Sequence, residues 1–527
     1  MYTKLNRMNS LSGIDDAASA WTAEGTQMKR TLAYTTAILL GLGTAPVWAG
    51  PDDNSLAWAS DSMPSSIDFY THTIREGIVL GHHIWDTLIY RNNETNQIEP
   101  HLAESFEWID DTTLEFKLRQ GVKFHDGSDF TADDVVGTVE FVTTNTTVQP
   151  IFFLESAEKI DDYTVRLKTK GVFPAVLEYL ANVVPIYPSD YYAEVGPDGM
   201  SRQPVGTGPY RVTEIVPGER VSMEAFGDYF GGVKGKPSIE KLEFRRIAEF
   251  NTQAIELMTG NLDWIWRVPP DAVQQFEGQS QLKVESGDTL RVGFIGLDAA
   301  GRTGDTPLKE LEVRRAINHA INRDGIREAM IGPGSQTIDT ACAPPQFGCS
   351  AEGMTTYEYD PAKAKEMLAE AGYPDGFSID FFGYRDRPVV EAIIGDLAAV
   401  GITANLTMLQ ASAIAQARNE GRTPIWFQAW GSSSILDVSA GPGYWYDGSA
   451  VDYARDAEVT ALLEEGNTTI DPEARKAAYS KALVRISDQA LQVPIFTYAL
   501  NYVYNSALNF TPVPDETPRF FEASWNE

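Results

Sequence analysis

Only two cysteines occur in 527 residues, and Lys plus Arg number 42 against 74 Asp plus Glu. The shortage of positive charge, a formal net −32 at pH 7, excludes ordinary nucleic-acid binding, because phosphate contacts need basic surface. It also argues against docking on anionic lipid. Beyond Gly50 there is no stretch of 18 consecutive apolar residues, so that part of the chain offers no membrane span. The six histidines, His72, His82, His83, His101, His125 and His319, form no i, i+4 pair. Neighbours such as His82 and His83 project to different sides of any regular element. HExxH, GxSxG and EF-hand patterns are absent. Gly235-Lys236 runs into Pro237 and position 230 is Phe230, so the phosphate-loop pattern fails twice. No catalytic residue, metal site or cofactor is nominated. The acidic pairs Asp110-Asp111 and Asp133-Asp134 read as solvated caps at turns and helix starts.

What is present is a globular α/β pattern. Hydrophobic residues make up 43% and charged residues 22%, which places the chain with folded rather than disordered proteins. Met28-Lys29-Arg30, the apolar Leu32–Leu42 and Ala45-Pro46-Val47-Trp48-Ala49 form a secretory signal pattern over 28–49. Residues 1–27 then read as an extension ahead of the true start, and the mature chain begins near Gly50. No Cys lies near the cleavage point, so no lipid anchor is expected. Cys342 and Cys349 suit a disulfide in an oxidising compartment. Two thiols alone lack the four ligands of a structural zinc site.

Alternation predicts strands over Thr113–Arg119, Tyr163–Lys168, Val221–Phe226 and Lys241–Ile247. Helices interleave. Thr131-Ala132-Asp133-Asp134 resembles a capping box. Asp360-Pro361 and Asp471-Pro472 each pair an N-cap with a proline at the first helical position. Leu308, Leu311, Ile317, Ala320 and Ile321 fall near helical spacing, with Arg314, Arg315 and Arg323 mostly on the other side. The second half concentrates aromatics: Tyr384, Trp426, Trp430, Tyr444, Trp445 and Tyr446. Rings beside Gly and Ser suit a concave site, where a flat wall meets a few directional donors. Trp430-Gly431-Ser432-Ser433-Ser434 and Gly441-Pro442-Gly443-Tyr444-Trp445 are the candidate wall segments.

Four runs carry a resemblance. Leu102-Ala103-Glu104-Ser105-Phe106-Glu107-Trp108 leads into Phe116-Lys117-Leu118-Arg119-Gln120-Gly121-Val122-Lys123-Phe124-His125-Asp126-Gly127 and Thr131-Ala132-Asp133-Asp134-Val135-Val136. Pro204-Val205-Gly206-Thr207-Gly208-Pro209-Tyr210 follows. Val313-Arg314-Arg315-Ala316-Ile317-Asn318-His319-Ala320-Ile321 and Tyr359-Asp360-Pro361-Ala362-Lys363-Ala364 come later in order. Together they resemble the family 5 solute-binding proteins of ABC importers, over nearly the whole mature chain.

The resemblance implies a two-lobe periplasmic-binding-protein fold of class II type, with an extra subdomain in lobe I. The expected boundaries are 50–297 for lobe I, with the subdomain at about 85–200. Lobe II is then 298–496, and 497–527 returns to lobe I. The chain should cross near Leu297-Asp298 and again near Phe496-Thr497. The implied activity is binding rather than catalysis: a small, peptide-like solute is enclosed between the lobes and passed to permease subunits in the inner membrane. A monomer in the periplasm is expected, with no nucleic-acid partner. Nickel, metal-chelate, opine or sugar-type solutes are the alternatives within the family, and an exported hydrolase is the alternative outside it. In similar dipeptide binders an Arg before a Pro grips the peptide carboxylate, and Tyr384-Arg385-Asp386-Arg387-Pro388 matches, so Arg387 is the carboxylate candidate. Those relatives carry an Asp soon after the Trp-Gly for the free amine. Here serines stand there, and Asp437 is the first acid. The expected ligand contacts are Arg387, Trp430, Gly431, Ser432, Asp437, Tyr384, Tyr444, Trp445, Met63 and Asp68.

Overall fold

Local sequence chemistry places the elements. In the computed structural model, which describes residues 50–71, 74–144 and 151–526, strands form at Thr113–Leu118, Thr164–Thr169, Arg220–Ala225 and Lys241–Arg246. The expected N-terminal extension and signal segment lie outside the described residues. Asp360 caps the helix Pro361–Glu370 by accepting from the N–H groups of Ala362 and Lys363, and Asp471 caps Pro472–Asp488 by accepting from Ala474. Thr131 and Asp134 form a reciprocal cap on Ala132–Thr144: the Asp134 carboxylate accepts from Thr131 N–H at 2.9 Å, and Thr131 Oγ1 accepts from Asp133 N–H at 3.3 Å. One expectation is corrected. Arg314 sits on the buried side of Leu311–Ala320, where its guanidinium donates to the Leu308, Lys309 and Gln489 carbonyls at 2.8–3.1 Å. Those carbonyls end neighbouring segments and have no helical partner, so a charged donor is favoured there.

Among the described residues the largest sheet has ten strands. In chain order they are β1 (Ser55–Ser60), β2 (Tyr210–Val216), β3 (Arg220–Ala225), β4 (Lys241–Arg246), β5 (Trp264–Ile265), β6 (Leu282–Leu297), β7 (Phe377–Gly383), β8 (Ile402–Met408), β9 (Ile425–Trp430) and β10 (Gln492–Asn505). Their spatial order is β8-β7-β9-β6-β10-β5-β1-β4-β3-β2. The two long antiparallel strands at the centre, β6 and β10, hold the sheet together. Leu282–Asp288 pairs with Asn505–Ala499, the register then breaks between Asp288 and Val292, and pairing resumes opposite Thr497. At the break Thr289 Oγ1 donates to the Tyr498 carbonyl at 2.8 Å, so the backbone is held although the ladder is interrupted.

The break also separates the cores. Before it, Leu282 and Val284 pack with Ala57, Ala59, Ile265 and Val503. After it, Ile295 and Leu297 pack with Ile379, Phe381, Val390, Val493 and Ile495. Leu297, beside the first expected crossing, is the end of β6, which runs on past the break into the second half of the sheet. Below, "first half" means the side carrying β1–β5 and "second half" the side carrying β7–β9.

A separate antiparallel sheet of four strands, Ala103–Asp110, Thr113–Leu118, Thr164–Thr169 and Leu154–Asp161, packs under the helix Ala132–Thr144. The run beginning at Leu102 therefore supplies strands and a cap. The Gly-Thr-Gly run is a packing device too. A Cβ on Gly206 would lie 2.1 Å from the Ile84 carbonyl oxygen, and one on Gly208 2.6 Å from the His83 oxygen. Between these glycines, Thr207 donates to buried Asp86, which also pairs with Lys234 at 2.7 Å and His101 at 2.9 Å. Lys234 and His101 pull the Asp86 carboxyl below its ordinary value, although burial alone would raise it.

Candidate functional site

Two cavities meet at the break in the central strands and share Arg291. One, about 490 Å³, is lined from the first half by Asp61, Arg267 and Asn501 and from the second by Ile331, Arg385 and Asp386. The other, about 510 Å³, is lined by Arg75 from the first half and by Tyr384, Arg418, Gln428, Trp430 and Ser433 from the second. Each volume falls within the ~300–1,000 Å³ typical of small-ligand sites.

The charge of the lining reverses that of the chain. Five arginines, Arg75, Arg267, Arg291, Arg385 and Arg418, face three carboxylates, Asp61, Asp386 and Glu516. Three of the arginines are committed within the protein. Arg267 pairs with buried Glu76 at 2.6 Å and stacks on Trp266. Arg291 holds Glu516 through two hydrogen bonds of 3.1 and 3.2 Å. Arg385 pairs with Asp386 at 2.8 Å and lies over the Tyr498 ring. Burial pushes the Tyr498 phenol well above its ordinary range, and the charge of Asp386 adds to this. Burial would also raise Glu516, but Arg291 and Arg75 hold it below the usual carboxylate value.

The aromatic wall forms from Trp430 at the end of β9. Its ring stacks on Tyr444 at 4.8 Å with a 12° interplanar angle, meets Trp445 edge-on at 5.3 Å, and donates its indole N–H to the Ala440 carbonyl. Beyond Gly431 the chain turns through Ser432, Ser433 and Ser434, at φ 50°, 49° and 65°. Three consecutive left-handed residues other than glycine cost on the order of 1–2 kcal/mol each. Contacts across the cleft hold the turn: Ser434 Oγ donates to the Asp515 carbonyl at 2.7 Å, Asn182 donates to the Ser433 carbonyl at 3.3 Å, and Arg75 donates to Ser434 Oγ. Ile435, just beyond, is fully buried among first-half core residues such as Trp85 and Tyr187. The two halves are therefore in contact at this end of the cleft.

The structure distributes the expected contacts unevenly. Trp430, Gly431, Ser432 and Tyr384 line the second cavity. Tyr444 and Trp445 back Trp430. Met63 lines a different cavity of about 620 Å³, with Ser65, Ser201 and Arg246. Asp68 is fully buried, where its carboxylate accepts from Tyr70 N–H at 2.9 Å. Arg387 is mostly exposed and pairs with Glu391 along its own helix, α1 (Arg387–Ala399). Asp386, left-handed at φ 48°, separates strand from helix, and it is Arg385 that faces the cleft. Asp437 is buried and occupied by Arg475 at 2.8 Å and the Tyr479 hydroxyl at 3.2 Å. Cys342 and Cys349 form a disulfide. Sequence reasoning missed Arg75, Arg267, Arg291 and Arg418. They stand in no shared motif, and only the fold brings them together. Among the described residues no three His, Cys, Asp or Glu side chains group as a metal site, and no helix is long and apolar enough to cross a membrane.

Residues 97–452 match the family model described as bacterial extracellular solute-binding proteins, family 5 middle. Heme-binding protein A of Haemophilus influenzae is 28% identical over 456 residues, covering 78% of this chain and 81% of that protein. The glutathione-binding protein GsiB of Shigella dysenteriae is 26% identical, covering 80% and 85%. The solved periplasmic binding protein DppA of Helicobacter pylori, in complex with the peptide STSA, superposes with a TM-score of 0.74 at 26% identity, covering 91% of this chain and 99% of that one.

Proposed function

Because the chain belongs to the bacterial extracellular solute-binding proteins of family 5, we propose that its solute is small and peptide-like, and that it is held where the two arginine-lined cavities meet. Solute binding is the function of this protein; the identity of the solute and the route of delivery are our reading. The observation that carries it is the position of the cavities. They lie between the halves of the sheet, beside the register break between Asp288 and Val292 in the central strands. A solute bridging both walls stabilises the closed arrangement by its differential affinity for that state. The named relatives support a small solute, since two are called heme-binding and glutathione-binding and the third is solved in complex with a peptide. In this reading the chain is exported through the segment at 28–49, is not lipidated, works as a monomer, and hands its solute to the permease subunits of an ABC importer. Disulfide formation at Cys342–Cys349 fits an oxidising compartment.

The test starts from purified mature protein. Native mass spectrometry identifies any co-purified solute. The protein is then stripped by unfolding and refolding and rescreened by thermal shift and small-angle scattering. A true solute at 100 times its dissociation constant adds about 2.7 kcal/mol of stability, and closure reduces the radius of gyration. No co-purified solute, together with no stabilising compound among peptides, chelates, opines and sugars, overturns the reading.

A further inference from the structure

The arginines of the second cavity are not equivalent. Arg291 has its carboxylate, but Arg75 and Arg418 have none: neither forms an ion pair with any described residue, and the Nε of each is buried without a hydrogen-bond partner. Arg418 lies in the last turn of α2 (Ala411–Asn419), is buried, donates to the Gln428 side chain and lies over the Trp445 ring at 5.1 Å. Arg75 opens the helix Arg75–Ile84 on the opposite wall and donates to Ser434 Oγ and, at 3.4 Å, to Thr517 Oγ1. Hydroxyls and an amide satisfy some of their N–H groups; Glu516 and Asp515 act on Arg75 only at a distance, being paired with Arg291 and Arg519, and the only ionisable groups acting on Arg418 are tyrosines. Taking a guanidinium out of water without a counter-charge is costly, and burial lowers the pKa of both. No carboxylate lines this cavity to offset them.

We infer that Arg75 and Arg418, facing one cavity from its two walls, form a clamp for a carboxylate-bearing solute, whose anion supplies the missing counter-charge and draws the walls together. This rests on the solute-binding reading above and narrows the solute to an acid. The aromatic wall of Trp430 and Tyr384 then takes the apolar body next to the carboxylate, as amphipathic ligands require. A free ammonium has no equivalent partner. Asp437 is spent on Arg475, Glu516 on Arg291 and Asp386 on Arg385, while Asp61 lies in the adjoining cavity, 3.6 Å from Arg267, and does not line this one. Solutes whose amine is absent, acylated or left outside the cavity therefore fit better than those with a buried free amine.

Isothermal titration decides it with three probes: a tripeptide pool with free C-termini, the same pool as C-terminal amides, and reduced glutathione. The protein is used as wild type and as Arg418→Gln, Arg75→Gln and Ser433→Asp. Ser433 is exposed and lines the same cavity, so the third variant adds a competing carboxylate without disturbing a buried contact. The expectation is that at least one acid binds wild type, that the amide pool binds about 30-fold more weakly, and that each variant loses about 30-fold for the acid and much less for the amides. Melting of each ligand-free variant separates lost binding from lost folding. Amides binding as tightly as acids, an unchanged acid affinity in Arg418→Gln and Ser433→Asp, or failure of every acid to bind overturns the clamp. If an uncharged solute still binds and closes the protein, only the clamp falls. If no probe binds and no solute co-purifies, the solute reading falls with it.

Discussion

Replacing Asp437 by Asn separates a ligand partner from a structural ion. Asp437 is the first acid after Trp430-Gly431, the place where a peptide amine would be sought. In the fold its carboxylate accepts from Arg475 at 2.8 Å and from Tyr479 at 3.2 Å, and its side chain is 2% exposed. Arg475 reaches it from α3 (Pro472–Asp488), where it also donates to the Gly466 carbonyl at 2.9 Å and lies over the Phe347 ring. The substitution keeps the shape and removes the charge, leaving a guanidinium buried without a counter-ion. Breaking such a pair costs about 3–5 kcal/mol. If the second half melts as a unit of roughly 200 residues, that corresponds to a drop of roughly 10 °C in Tm. Calorimetry on the ligand-free protein reads the shift. A double variant, Asp437→Leu with Arg475→Met, should recover part of the loss, because it removes both charges together. Ligand affinity measured below the transition should change little. An unaltered Tm in Asp437→Asn, combined with a large loss of affinity for solutes bearing a free amine, would refute this reasoning and make Asp437 a contact.

Two further predictions test the frame around the cleft. Replacing Cys342 and Cys349 by Ser should remove about 2.5 kcal/mol, the chain-entropy value for a closed loop of about eight residues; wild type in reductant should then melt with the double variant, and identical melting with and without reductant would exclude any contribution. Asp68 has its carboxyl pushed up to about 6 by burial, against an ordinary 3.8, despite hydrogen bonds that favour the charged form. Between those values the folded state keeps a proton that the unfolded state has lost, so stability falls as pH rises through the window and the deficit is complete above it. Asp68→Asn should therefore gain little near pH 4 and up to about 3 kcal/mol at pH 7.5; urea midpoints that differ from wild type by the same amount at both pH values would contradict the assignment.

Local chemistry was legible in the residue order. Capping aspartates before prolines mark helix starts because the orphan N–H groups of a first turn need an acceptor within two or three residues. Alternation marks the strands of the four-stranded sheet because one face of each is buried. Trp430-Gly431 and the serines after it mark a candidate wall segment, and the wall of the second cavity includes Trp430, Gly431, Ser432 and Ser433. The four ordered runs carried a resemblance to solute-binding proteins, a family that the match over residues 97–452 now states directly.

Charge partnership was decided by the tertiary structure alone. Arg385 and Arg387 stand two positions apart in one run, yet one faces the cleft and the other faces solvent beside Glu391. Asp437 is claimed by Arg475, 38 positions away. Arg75 and Arg418 come from helices more than 300 positions apart and share no motif, yet they face the same 510 Å³ space. A cap or a strand depends on neighbours along the chain, so its signature is written there. The value of an arginine in a binding site depends on whether a carboxylate already holds it, and which carboxylate comes within reach is determined only when the two halves fold against each other.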